Sequence, residues 1–114
     1  MLTSGDVVDL DFGLPSGSEA GFVHPAIVVT AQQTLDAEPS VVQVVPVTST
    51  LRGFASEVEL EPDHGNGLAR NSAAQCQQIR TIATNRIKGT RGNVGPAALL
   101  QIRELLGVIL DVPG

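Results

Sequence analysis

Gly95-Pro96-Ala97-Ala98-Leu99-Leu100-Gln101-Ile102-Arg103-Glu104-Leu105-Leu106-Gly107-Val108-Ile109-Leu110 is where the sequence changes period. Proline suits the first position of a helix, because its missing N–H would find no partner there, and Gly95-Pro96 reads as such a start. From that point Leu99, Ile102, Leu105, Leu106, Ile109 and Leu110 fall on one helical face. Gly107 weakens the helix without interrupting the face.

Everything before it alternates instead. Asp6 to Phe12 sets Val8, Leu10 and Phe12 against Asp9 and Asp11. Residues 13–21 form a loop rich in Gly, Pro and Ser, and Pro25 to Thr30 is a short β-branched strand. Val41 to Ser49 is a nearly continuous apolar strand, in which Pro46 cannot donate to a ladder and so predicts an edge or a bulge. Ser56 to Glu61 alternates, with Val58 and Leu60 inward and Glu57, Glu59 and Glu61 outward. Asp63 to Gly67 is a turn cluster. Ser72 to Thr84 reads as one extended segment whose alternation breaks at Gln77 and Gln78, as a bulge would do. About five short strands followed by one amphipathic helix define an α+β fold. A small, strongly bent sheet closed into a partial barrel, with the helix packed across it, suits this order best.

The chain has 114 residues, which predicts one domain over 1–114. Hydrophobic residues make up 42% and charged residues 17%, a globular balance. No apolar run is long enough to cross a bilayer, and Met1 to Asp6 lacks a basic and then apolar leader. The single cysteine, Cys76, excludes an internal disulfide and predicts a reducing, cytoplasmic setting. With no Trp or Tyr, and only Phe12, Phe22 and Phe54, a binding surface built on aromatic stacking is disfavoured.

Net charge is −5, which alone speaks against a nucleic-acid partner. Its distribution does not. Met1 to Asp63 sums to −9, whereas His64 to Arg103 contains no acid and sums to +6. An acid-free stretch of this length can present a basic face on an acidic protein, unless strand pairing mixes the signs in space.

Few residues stand out as chemical groups. His24 precedes Pro25 at a loop-to-strand junction, whereas His64 sits in a turn and reads as solvated. The i, i+2 spacing of Asp9 with Asp11, and of Glu57, Glu59 and Glu61, is that of a wet strand face, so no metal site is predicted. Cys76 reads as a small core residue. Arg80, within an otherwise uncharged segment, is either a surface residue or a phosphate binder whose planar fork matches phosphate oxygens.

Taken in order, several blocks resemble the MazF/PemK family of toxin endoribonucleases of type II toxin–antitoxin systems. They are Gly5-Asp6-Val7-Val8, Gly17-Ser18-Glu19 running to His24-Pro25 and Ala26 to Val29, Val45-Pro46-Val47-Thr48-Ser49, and Cys76-Gln77-Gln78-Ile79-Arg80-Thr81-Ile82. Arg86-Ile87, Gly92-Asn93-Val94 and the closing helix complete a likeness that covers nearly the whole chain. The resemblance implies a small SH3-like, partly open β-barrel of the type also used by Kid and CcdB. It implies sequence-specific cleavage of single-stranded RNA without metal or other cofactor, a homodimer, and neutralisation by a small antitoxin protein in a bacterial cytoplasm. Carried over by position, the catalytic residues are His24, Thr48 and Arg80. Those bearing on RNA are Gly17, Ser18, Glu19, Ser49, Arg52, Gln78 and Arg86, with Lys88 and Arg91 steering more loosely. The valines of 41–47 are expected to supply the dimer surface.

The chain departs from the family where an Arg-Pro pair has become His24-Pro25, at Gln77 in place of Asp, and at Ala83. Two readings of His24 stay open. A histidine is better suited than an arginine to carrying protons near neutrality; alternatively, the change marks a chain that binds RNA or antitoxin without cutting. The retained Thr48 and Arg80 favour activity. A CcdB-like topoisomerase poison is disfavoured, because that activity goes with a Trp-containing C-terminus and this chain ends Leu110-Asp111-Val112-Pro113-Gly114.

Overall fold

A computed structural model describes residues 1–12 and 23–113. Seven strands and two helices follow in the order β1 (Asp6–Asp11), β2 (Val23–Val28), α1 (Gln32–Leu35), β3 (Val41–Thr48), β4 (Glu57–Leu60), β5 (Ser72–Gln75), β6 (Arg80–Ala83), β7 (Ile87–Asn93) and α2 (Gly95–Ile109). All the strand pairings are antiparallel, and one run reads β6-β3-β2-β1-β7. β6 and β7 stand at its two ends, yet only the 3₁₀ turn Thr84–Arg86 joins them. So short a link between opposite edges forces the sheet to curl. This is the partly open barrel that the sequence predicts.

The curl explains how the central strands are buried on both faces. Val8, Leu10, Val28, Val42 and Val44 point to a core that Ile82 of β6 and Ile87 of β7 help to close. Their neighbours Val7, Ile27, Val45 and Val47 point the other way, where Leu99, Ile102 and Leu106 of α2 cover them. Adjacent residues on a strand face opposite sides, so a two-sided strand reads as a continuous apolar run. Ile102 has no exposed surface, and truncating such a side chain to Ala costs about 2–5 kcal/mol.

Two backbone crossings explain short motifs at the ends of the sheet. Gly5 has φ +90, a conformation that disfavours side chains. Asn93 at the end of β7 donates from Nδ2 to the Ser4 carbonyl (2.9 Å) and to Asp6 Oδ1 (3.1 Å), while its Oδ1 accepts from Gly95 N–H (2.8 Å). Gly5-Asp6 and Asn93 therefore tie β1 to the start of α2. At Gly92, an added Cβ would lie 2.2 Å from the Gly65 carbonyl oxygen, so the Asp63–Gly67 turn can lie against β7 only because no side chain intervenes.

Several expectations are corrected. β3 is no edge strand: β2 flanks it on one side, and on the other β6 pairs with Val41–Val44 and β5 with Val47–Thr48. Val45 and Pro46 fall between those two pairings, so the residue that cannot donate sits where the ladder is interrupted. Ser72 to Thr84 is not one bulged strand but β5 and β6 separated by a 3₁₀ turn, Cys76–Gln78. β7 escapes a sequence reading because Ile87-Lys88-Gly89-Thr90-Arg91-Gly92-Asn93 has no apolar alternation and is mostly exposed. The valine surface expected to pair two chains does not exist, since Val42, Val44, Val45 and Val47 are buried within the single chain. Val41 alone of the β3 valines is exposed, and the other exposed apolar side chains are scattered, from Val23, Leu51 and Phe54 to Leu100, Val108, Leu110 and Val112 of α2 and its tail.

Candidate active-site groove

β2 and β3 pair with Ala26 opposite Pro46, Ile27 opposite Val45 and Val28 opposite Val44. That pairing ends at Ala26, and His24 and Thr48, each two residues beyond it on its own strand, both line the same concavity. His24 is held by strand pairing, opposite Leu10 of β1, rather than on a loop. Arg80 opens β6 opposite Val44. The three residues lie at positions 24, 48 and 80, and the curl of the sheet brings all of them to the wall of one concavity of about 260 Å³.

Arg80 is oriented from two sides. Its Nη2 donates to Gln78 Oε1 and its Nε to the Gln78 carbonyl oxygen, both at 3.3 Å. Its guanidinium lies 5.1 Å from the centre of the Phe12 ring, a cation–π contact. Phe12 meets His24 edge-on, with ring centroids 6.1 Å apart and planes at 73°. Phe12 therefore joins His24 to Arg80. A sequence reading misses this role, because Phe12 simply completes the apolar alternation of β1. Thr48 Oγ1 accepts from Thr50 N–H at 3.1 Å, which fixes the hydroxyl at the strand end.

A second concavity of about 400 Å³ adjoins the first and shares His24, Val47 and Thr48 with it. Ser49, Arg70 and Arg91 lie on its wall. Together the two make a groove with His24 and Thr48 at its middle, Arg80 towards one end and Arg70 towards the other. Among the described residues no Asp or Glu lines either part, although the chain holds 12 acids against 7 Lys and Arg. Such a wall favours an anion.

Other expected residues fare differently. Ser49 lines the groove and Gln78 orients Arg80. Arg52 turns away: it pairs with Glu57 and stacks on Phe54, 4.5 Å from that ring's centre. Arg86 donates to the Asp11 carbonyl oxygen and lines neither concavity. Gly17, Ser18 and Glu19 lie outside the described residues. Asp9 pairs with Arg91 at 2.8 Å. The solvated-face reading fails for Glu57, whose side chain is only 2% exposed and accepts from Arg52 and from Gln77 Nε2 (2.8 Å). Burial alone would raise this carboxyl, but the hydrogen bonds from Gln77 and Arg52 outweigh it and hold it below its ordinary value of 4.5. Cys76 is buried, which pushes its thiol up to about 11. Among the described residues, no three His, Cys, Asp or Glu side chains gather as metal ligands.

Donors with no opposing acid, a hydroxyl and an imidazole in one groove suit chemistry on a phosphodiester. The sequence profile of the PemK-like, MazF-like toxins of type II toxin–antitoxin systems matches residues 3–110. The chain belongs to this family. It is 34% identical to endoribonuclease MazF9 of Mycobacterium tuberculosis over 98% of both chains. It is 28% identical to the endoribonuclease toxin MazF of Escherichia coli, over 93% of this chain and 91% of that one. Among solved structures, MazF in a MazE–MazF crystal structure from Deinococcus radiodurans superposes with a TM-score of 0.79 at 25% identity, over 96% of each chain. The PemK/MazF fold is thus the partly open barrel closed by β6 and β7. Among the described residues no helix is long and apolar enough to cross a membrane.

Proposed function

We propose that this PemK/MazF-family chain is an endoribonuclease that cuts single-stranded RNA at short sequences, and that a cognate antitoxin neutralises it. The convergence of His24, Thr48 and Arg80 on one groove, which no Asp or Glu lines among the described residues, carries the reading. The endoribonuclease names of the relatives support it, as does the family's place in toxin–antitoxin systems.

In the reaction, a ribose 2′-oxygen forms a bond to the adjacent phosphorus as the bond from phosphorus to the 5′-oxygen breaks. His24 accepts the hydroxyl proton, and the departing 5′-oxygen takes up a proton. The products are a 2′,3′-cyclic phosphate and a 5′-hydroxyl. Arg80 donates to the non-bridging oxygens, whose charge grows in the transition state, and Thr48 adds a hydroxyl donor beside them. Nothing in this scheme calls for a metal ion.

Purified protein is incubated with an unstructured RNA, with and without EDTA. Cleavage that persists in EDTA and leaves cyclic phosphate ends is the expected result. Loss in EDTA with recovery in magnesium overturns metal independence. Binding without any cleavage assigns the chain to the other reading of His24, a module that holds RNA or antitoxin. We take the domain as 1–114 and the setting as the bacterial cytoplasm. The homodimer rests on the family alone, now that the β3 valines are internal. Light scattering that gives a stable monomer at micromolar concentration overturns it.

A further inference from the structure

The chain has seven Lys and Arg side chains, and five have partners. Arg52 pairs with Glu57 and Arg91 with Asp9. Arg80 donates to Gln78, Arg86 to the Asp11 carbonyl, and Arg103 to Ser4 Oγ and the Val29 carbonyl. Among the described residues this leaves the side chains of Arg70 and Lys88. Lys88 is exposed on β7, away from the groove. Arg70 lines the groove on the far side of His24 and Thr48 from Arg80.

The backbone around Arg70 is held while its guanidinium is not. Ser72, 4% exposed, donates from Oγ to the Arg70 carbonyl oxygen at 2.9 Å and leads into β5. Ser49 and Thr50 line the same part of the groove. A guanidinium on a fixed backbone, sharing its part of the groove with Ser49 and Thr50 and, among the described residues, with no carboxylate, matches a phosphate, which accepts two parallel N–H bonds from an arginine. Arg91 lines the same part but is held by Asp9.

We infer that Arg70 binds the backbone phosphate next to the scissile one, so that the RNA runs along the groove from Arg80, past Thr48 and His24, to Arg70. The inference rests on the endoribonuclease reading and adds a substrate subsite to it. Arg70 in this role positions RNA and takes no part in proton transfer.

The test uses an RNA that the protein cuts, made uncleavable by a deoxyribose at the attacking position. Single phosphates are replaced in turn by neutral methylphosphonates. With the unmodified copy, Arg70→Ala should weaken binding about tenfold and lower the salt slope by about 0.7, the value for one phosphate contact on a single strand. On cleavable RNA it should raise KM and leave kcat close to that of the parent. At one phosphate flanking the cut, the methylphosphonate should weaken the parent protein but cost Arg70→Ala nothing more. Lys88→Ala removes the same charge outside the groove, and its loss should not depend on which phosphate is neutral. If the parent cuts RNA and Arg70→Ala binds every copy as tightly, or its loss adds to the methylphosphonate loss at every position, the subsite is overturned and the nuclease reading stands. If the parent neither cuts nor binds unstructured RNA, both fall.

Discussion

Arg52 and Arg80 both lie near a phenylalanine and both were expected to meet RNA, but the fold treats them oppositely. Arg52 pairs with Glu57, a carboxylate almost entirely removed from solvent, and lies over Phe54. Arg80 has Phe12 beneath it and, among the described residues, Gln78 as its hydrogen-bond partner and no carboxylate. The first arginine therefore holds structure together, and the second is left to act on a ligand. Arg52 lies in the acid-rich first part of the sequence and Arg80 in the acid-free stretch, but that alone places no carboxylate beside either guanidinium. What distinguishes them is whether a carboxylate lies beside the guanidinium: Glu57, five residues on at the start of β4, does so for Arg52, and among the described residues none does so for Arg80.

The contrast predicts a graded series. Arg80→Ala should lower kcat by on the order of 10²-fold or more, because a donor aimed at transition-state charge is lost. Circular dichroism and the melting temperature should stay near those of the parent. Equal and small effects of Arg80→Ala and Lys88→Ala on kcat would erase the contrast.

His24→Ala should come close to Arg80→Ala in its loss of rate. His24→Arg restores the family residue, so it should keep measurable activity. A His24→Ala protein that cuts as fast as the parent removes the histidine from the chemistry.

Glu57→Ala is expected to reverse the pattern, destabilising the fold by about 1–3 kcal/mol by removing the charged acceptor of the hydrogen bonds from Arg52 and Gln77, with kcat little changed. The sign of its pH dependence follows from the lowered carboxyl. The contribution of Glu57 is fully present above about 4.5 and is lost as pH falls through the lower, folded value. Denaturant titrations at pH 7 and pH 3 should therefore differ less for Glu57→Ala than for the parent. The smallest effect concerns Cys76. Its thiol titrates near 11 in the fold and near 9.0 when unfolded, so it favours the fold below pH 9 and loses that contribution as pH rises towards 11. A thiol reagent at neutral pH should label the native protein far more slowly than the denatured one.

Periodicity was enough to reveal β1, β3, β4 and the helix at 95–109, because each has one face, or two, that must leave water. It was not enough for β7, an edge strand with two glycines and almost no apolar side chains, whose existence depends on β1 offering it a partner. The candidate residues were legible for a different reason. His24, Thr48 and Arg80 stand in short motifs shared with a family, whereas Phe12 and Arg70 carry no local signal at all: one looks like core and the other like a loop residue.

The sequence by itself determined the α+β order, the amphipathic helix and the residue types available for phosphate chemistry. These follow from neighbours along the chain, through backbone restriction and burial periodicity. Only the tertiary structure decided that β6 and β7 curl the sheet and that the groove has two parts sharing His24 and Thr48. It alone decided that Arg91 is neutralised by Asp9 while, among the described residues, Arg70 and Arg80 have no carboxylate partner. Charge acts through space and is cancelled by whatever carboxylate lies within a few ångströms: Glu57 is five residues from Arg52, but Asp9 meets Arg91 across 82 residues only because β1 pairs with β7.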